Sequence, residues 1–199
     1  MGDGRGRPGR IGAAASSLSP LMARQLALSR RRAASIDATL AQGASGRRAE
    51  RLRAAREAEA VLTGELPASV EVGSYVARIA TLQQLASGVI GCVMTRTVRL
   101  ALPARRARAM AFAVRALMSH LETCVKEGGS IDVQLVLGRD RGGVTLALGA
   151  VGDLWPVGSA SGTLALVRAR AILEALGGEF QRGLDAHGRM VFGAILPDG

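Results

Sequence analysis

The apolar positions of this chain follow two rhythms. From about 20 to 42, Met22, Leu26, Ser29, Ala33, Ile36 and Leu40 recur at intervals of four and three, which lines them up along one seam of a helix. Gln42-Gly43-Ala44-Ser45-Gly46 interrupts that seam, and a second helix is predicted from about 46 to 63. It carries Leu52, Ala55, Ala58 and Leu62 on one side and Arg/Glu pairs on the other, and Gly64 and Pro67 end it. Together the two read as a helical hairpin. Its narrow, Ala-containing stripe leaves apolar surface that a second copy would cover by forming a dimeric four-helix bundle. A third helix is predicted from about 73 to 91, with Tyr75, Ile79, Leu82, Ala86 and Val89 inward.

Downstream, period-two segments alternate with helical ones. Thr97 to Leu102 alternates polar and apolar residues and stops at Pro103, which suits a half-buried strand. Residues 104 to 126 read as a helix with Met110, Ala113, Val114, Leu117, Met118 and Leu121 inward. Ile131–Leu137 and Val144–Leu148 form a hairpin across a Gly-rich connection, and 149 to 161 reads as a flexible segment. Leu164 to Leu176 is helical up to a Gly177-Gly178 stop, and two short alternating segments ending at Pro197 close the chain. The expected class is α+β: a helical hairpin followed by an α/β sandwich, a mixed sheet with helices on one face.

Composition sharpens this picture. With 199 residues and 48% apolar content the chain can bury a real core, but only 3% is aromatic, so that core must be Ala, Leu, Val and Ile. The formal charge of +10 is concentrated: residues 1 to 56 hold twelve arginines against three acids, and Lys126 is the only lysine. A solvated basic face is the simpler reading of that run than a nucleic-acid surface. Residues 1–18 are expected to be a disordered Arg/Gly-rich tail, although Gly4 to Arg10 includes one Arg-Gly-Arg-Pro core of a minor-groove AT-hook. The first 35 residues also share the composition of an organelle transit peptide. Cys92 and Cys124 lack metal-site spacing and read as reduced, buried small hydrophobes in helical contexts. With no long apolar run and no secretory signal, the expectation is a cytoplasmic protein without membrane contact.

Three segments resemble parts of a known family: Ser29-Arg30-Arg31-Arg32, the Leu66 to Val76 entry to the third helix, and the closing helix with its hairpin. With the order of elements, they make the chain similar to sensor histidine kinases, particularly the HWE-type group, whose ATP-binding domain has the GHKL ATPase fold. The resemblance implies a tail at 1–18, a dimerisation hairpin at 19–66 and a degenerate ATPase-fold domain at 67–199. It also shows what is missing. Kinases of this type carry a phosphoryl-accepting histidine on the first helix, followed by basic residues. Here Ala27 or Leu28 stands in that place, and no histidine precedes His120. Ser29 is nearby, but a serine nucleophile needs a positioned base and none is recognisable in the sequence. Where the family has its magnesium-holding helical Asn and an upstream polar partner, this chain has Arg115 and His120. Ala150 or Val151 replaces the adenine-reading carboxylate; Gly152 remains, and Asp153 would substitute only after a register shift. The later glycine-rich box is reduced to Gly158-Ser159-Ala160-Ser161-Gly162, whose backbone amides still suit an anion.

Arg115, His120, Gly152, Asp153, Gly158 and Gly162 are therefore expected to mark a vestigial nucleotide pocket, with no catalytic residue, no metal site and no required cofactor; residual ATP/Mg binding stays open. The leading expectation is a non-catalytic dimeric scaffold of two-component signalling, in which Ser29, Arg30, Arg31 and Arg32 meet the receiver domain of a response regulator or a partner sensor kinase. An enzymatic alternative is a divergent histidine phosphotransferase or weakly active nucleotide-binding kinase using His120 and Asp153. A third is a DNA-associated regulator working through the Arg-rich N-terminus, although the chain lacks a recognition helix or an aromatic stacking platform.

Overall fold

The computed structural model describes residues 9–140, 143–154, 164–186 and 189–197. It opens with α1 (Gly9–Ala41), which turns at Gly43 (φ +88°) into α2 (Gly46–Thr63). The expected seam is real: Met22, Ser29 and Ile36 are buried, and Leu26, Ala33 and Leu40 are half-buried. The start of the helix differs from the expectation. α1 begins at Gly9 and runs through Pro20, where the composition suggested a tail to about residue 18. Three consecutive alanines, Ala13 to Ala15, have the highest helix propensity of any residue and favour this extension. Residues 1–8, which hold most of the AT-hook-like motif, lie outside the described residues.

A short strand β1 (Ser69–Glu71) leads into α3 (Val72–Ala86), followed by β2 (Ile90–Thr97), β3 (Ala101–Pro103) and α4 (Ala104–Thr123). The hairpin β4 (Ile131–Asp140) and β5 (Gly143–Gly152), then α5 (Leu164–Ala175), β6 (Glu179–Leu184) and β7 (Met190–Leu196), complete the chain. Five strands form one sheet in the order β2-β4-β5-β7-β6; β2 runs parallel to β4, and the other pairs are antiparallel. Alternation decides which face is covered. Ile131, Val133, Leu135 and Leu137 of β4 and Val144, Leu146, Leu148 and Ala150 of β5 are buried in one cluster with Met110, Leu117 and Leu121 of α4 and Ile172 and Leu173 of α5. Truncating one of these, such as Leu117→Ala, costs about 2–5 kcal/mol. Leu18 and Met22 of α1 belong to the same cluster, so the first helix is anchored in the core beneath the sheet.

Two sequence expectations are corrected around β2. The third helix stops at Ala86, because the Ser87 hydroxyl accepts the N–H groups of Val89 and Ile90 and the backbone turns extended (φ −74°, ψ 156°). The predicted strand at 97–102 is divided: β2 ends at Thr97, and β3 instead pairs with β1 in a separate two-stranded sheet. Val89 falls at helical spacing from Leu82 and Ala86, which hid the boundary. Cys92 therefore lies exposed on an edge strand and is not a buried helical residue, whereas Cys124 is buried at the end of α4 as expected. The segment from 149, expected to be flexible, continues β5 as far as Gly152.

Glu71 fixes the entry to α3. Its carboxylate accepts the N–H groups of Gly73, Ser74 and Leu100, tying the helix N-terminus to β3's approach. Hydrogen bonding, led by Ser74, outweighs the opposing effect of burial and lowers its pKa to about 2. No described helix is long and apolar enough to cross a membrane.

Candidate functional site

Three helices meet at Glu59, whose side chain is 1% exposed. From α4, Arg115 grips both carboxylate oxygens, with Nη1 to Oε2 at 2.7 Å and Nη2 to Oε1. From α1, the Ser29 hydroxyl donates to Oε2, and Arg115 Nη1 lies 3.4 Å from that hydroxyl oxygen. Arg32 adds a looser contact, Nε to Oε1 at 3.5 Å, from a side chain that is 55% exposed. Burial lowers the pKa of the Arg115 guanidinium, and the Glu59 carboxylate opposes that effect. A buried ion pair survives when its remaining lone pairs and protons are satisfied, and Ser29 supplies the additional bond here.

This arrangement joins residues that the sequence placed in two separate sites. Ser29 and Arg32 were expected to face a partner and Arg115 to line a nucleotide pocket; all three contact one carboxylate. Arg30 and Arg31 stay exposed. Glu59 does give Ser29 a carboxylate neighbour that the sequence did not reveal. Both of its oxygens are held by Arg115, so it braces Ser29 and does not stand free as a base. One signal for Glu59 was available: with Leu52, Ala55 and Leu62 it keeps the three-four-three spacing of a buried seam.

The other expected pocket residues disperse. His120 projects from the opposite side of α4 into the core, edge-on to Phe192 at 5.4 Å, with Nε2 3.7 Å from the Cys124 sulfur. Burial, reinforced by the charge of Arg182, lowers its pKa. Gly152 has φ +134°, and a Cβ there would come within 2.4 Å of the Ser130 carbonyl oxygen, so the glycine is required by the β4–β5 pairing. Asp153 is used locally: its carboxylate accepts the Ser130 N–H and its carbonyl the Lys126 N–H. Gly158 and Gly162 lie outside the described residues.

Among the described residues, Arg115 and His120 do not fit a magnesium ion. Magnesium takes oxygen ligands, whereas a guanidinium carries no acceptor and the His120 imidazole is turned into the core. At the expected adenine-reading position, Ala150 is buried in the ladder between Val133 and Met190. Among the described residues no cluster of three His, Cys, Asp or Glu is placed to hold a metal.

A two-helix stem followed by a mixed five-stranded sheet with helices on one face is the architecture of a dimerisation hairpin joined to a GHKL-like domain. The chain has, in particular, the fold of the sensor histidine kinase core. It is similar to the histidine kinase domain from the Erythrobacter litoralis EL346 blue-light activated histidine kinase, with a TM-score of 0.58 and 18% identity over 96% of this chain and 94% of that one. Against a longer structure of the same kinase the TM-score is 0.58 at 20% identity, covering 87% of this chain and 62% of that one. A bacterial phosphotransferase is similar over 92% of this chain and 95% of its own, with a TM-score of 0.50 and 14% identity. No protein-family model matches the chain, and no curated protein matches its sequence.

Proposed function

We propose that this chain is a catalytically degenerate histidine-kinase-like protein of two-component signalling, a cytoplasmic homodimer that acts by binding and needs no cofactor. In this reading residues 19–66 form the dimer stem and 67–199 the degenerate ATPase-fold domain. The exposed Arg30 and Arg31, beside Ser29 and Arg32, meet the acidic face of a response-regulator receiver domain or a partner kinase. One observation carries the reading: Ser29, beside the Ala27–Leu28 place of the family's phosphoryl acceptor, and Arg115, on the helix where the family holds its metal, are locked onto Glu59. Phosphoryl transfer depends on positioned metal and electrostatic groups, and a closed ion pair in that place offers neither. Leu26, Ala33 and Leu40 are only half-buried in the single chain, which supports a second copy along the stem.

The test combines light scattering, a magnesium-ATP titration followed by thermal shift, and binding to receiver domains. The expected result is a dimer with no nucleotide-dependent shift, and a receiver complex weakened by Arg30→Glu with Arg31→Glu. A monomer, or saturable ATP binding, would overturn it.

A second reading, a histidine phosphotransferase, is favoured by the likeness to a bacterial phosphotransferase along most of both chains. It requires His120 to leave its packing against Phe192 before it can take a phosphoryl group. Incubation with a phosphorylated receiver, followed by acid- and base-stability tests, distinguishes the two: acid-labile label on His120 supports the transferase.

A further inference from the structure

Beside the Glu59 brace, α1, α4 and α5 enclose a cleft of about 140 Å³ whose polar lining is Gln25, Ser29, Arg32, Arg115, Ser119 and Arg168. We propose that this cleft is a metal-free binding site for a small tetrahedral oxyanion of the phosphate class. Three guanidinium groups line it and no carboxylate does. The nearest acid described, Glu59, lies behind the lining and is engaged by Arg115 and Ser29, so the cleft keeps a positive excess. Guanidinium forks match the oxygens of phosphate, and crowding them without an anion is unfavourable.

A second observation is independent of charge. Gln25 is only 9% exposed and lines the cleft, and its amide, which is open to solvent, makes no hydrogen bond to a described residue. The Ser119 hydroxyl, also on the lining, is likewise without one. An amide and a hydroxyl open to solvent beside three guanidinium groups supply further donors for a ligand oxygen. Arg168 of α5, half-buried, has no carboxylate within ion-pair distance among the described residues. Size limits the choice: pockets for drug-sized ligands run to roughly 300–1,000 Å³, and this cleft suits a single phosphate-sized group. A bound anion would bridge Arg32 of α1 and Arg168 of α5, fastening the stem to the helices beneath the sheet. The site depends neither on receiver binding nor on loss of catalysis.

The experiment titrates the full chain with inorganic phosphate in EDTA, at ionic strength held constant with chloride, by calorimetry and thermal shift. Saturable binding that sulfate competes for and nitrate does not is expected. Arg168→Gln and Gln25→Leu should each weaken phosphate about tenfold, the loss of one good hydrogen bond to an anion. Arg96→Gln, on exposed β2, should leave it unchanged. Phosphorus-31 line broadening on the wild-type protein, reversed by sulfate, gives a readout that does not depend on any variant folding. A non-saturable response, one matched by chloride, or equal affinity in Arg168→Gln and wild type would overturn the proposal.

Discussion

Removing Glu59 should be among the most damaging single changes outside the apolar core. Its side chain is 1% exposed and that of Arg115 is 11% exposed, so Glu59→Ala strands a guanidinium that water cannot reach well. Deleting one partner of a buried pair costs about 3–5 kcal/mol, whereas a surface pair contributes about 0–1 kcal/mol. The Arg56–Asp37 pair, at 2.8 Å but 38% and 52% exposed, is the internal control. Urea denaturation followed by circular dichroism at one fixed protein concentration would measure both, since any dimer makes apparent stability depend on concentration. Asp37→Ala should fall within about 1 kcal/mol of wild type. Ser29→Ala should cost about 1 kcal/mol, one hydrogen bond. The double substitution Glu59→Leu with Arg115→Met should recover most of the loss, because a packed apolar pair needs no charge compensation. A Glu59→Ala cost below about 1 kcal/mol, or a double variant that is no better than the sum of its singles, would refute the view that these three helices are tied through one buried carboxylate.

Other consequences are measurable. His120 has a lowered pKa, so the unfolded chain takes up its proton first; stability should be full above roughly pH 6.5 and decline below it, and His120→Phe should flatten that decline in a urea series across pH. Glu71, at about 2 when folded, contributes stability above its unfolded value near roughly 4.3 that is lost as pH falls toward 2. At pH 7, Glu71→Ala should cost about 0.5–2 kcal/mol as a lost helix cap. Cys92 should react quickly with a thiol reagent in the native protein and Cys124 slowly, since Cys124 is buried and burial raises its thiol pKa; equal rates would contradict the exposed strand placement. Gly152→Ala should destabilise the β4–β5 hairpin, because both its φ and the Ser130 carbonyl exclude a Cβ; unchanged thermal stability would be the contrary result.

Elements with one strong period were legible in the sequence. The seam from Met22 to Leu40, α4, and the closing helix with its hairpin all appear where apolar spacing put them, because each buries one stripe or one face against a single neighbour. β2 was missed for the opposite reason. It is an edge strand whose residues are mostly exposed, so it shows no alternation, and Val89 extended the α3 period past its true end. The site was legible as residue types but not as a constellation. Ser29, Arg32 and Arg115 were each visible, yet their meeting depends on the angle at which α1 and α2 lie on α4, which no local pattern encodes. Glu59 was hidden among Arg/Glu pairs that look like an ordinary solvated surface. For His120 alone the expected reading was a partly buried structural histidine, and its neighbours Phe192 and Cys124 make it part of the packing.

The long first helix carries a last implication. Its 33 residues span about 50 Å at 1.5 Å each, and Pro20, lacking an N–H, leaves the rung to the Ser16 carbonyl empty, in the turn that carries Leu18 and just precedes Met22. Those two side chains are gripped by the core, one within that turn and one just beyond it. A torque applied near Leu40 therefore travels down a stiff rod to its weakest point, and the rod can flex there only by pulling Leu18 or Met22 loose, which makes the proline a mechanical fuse between stem and sheet.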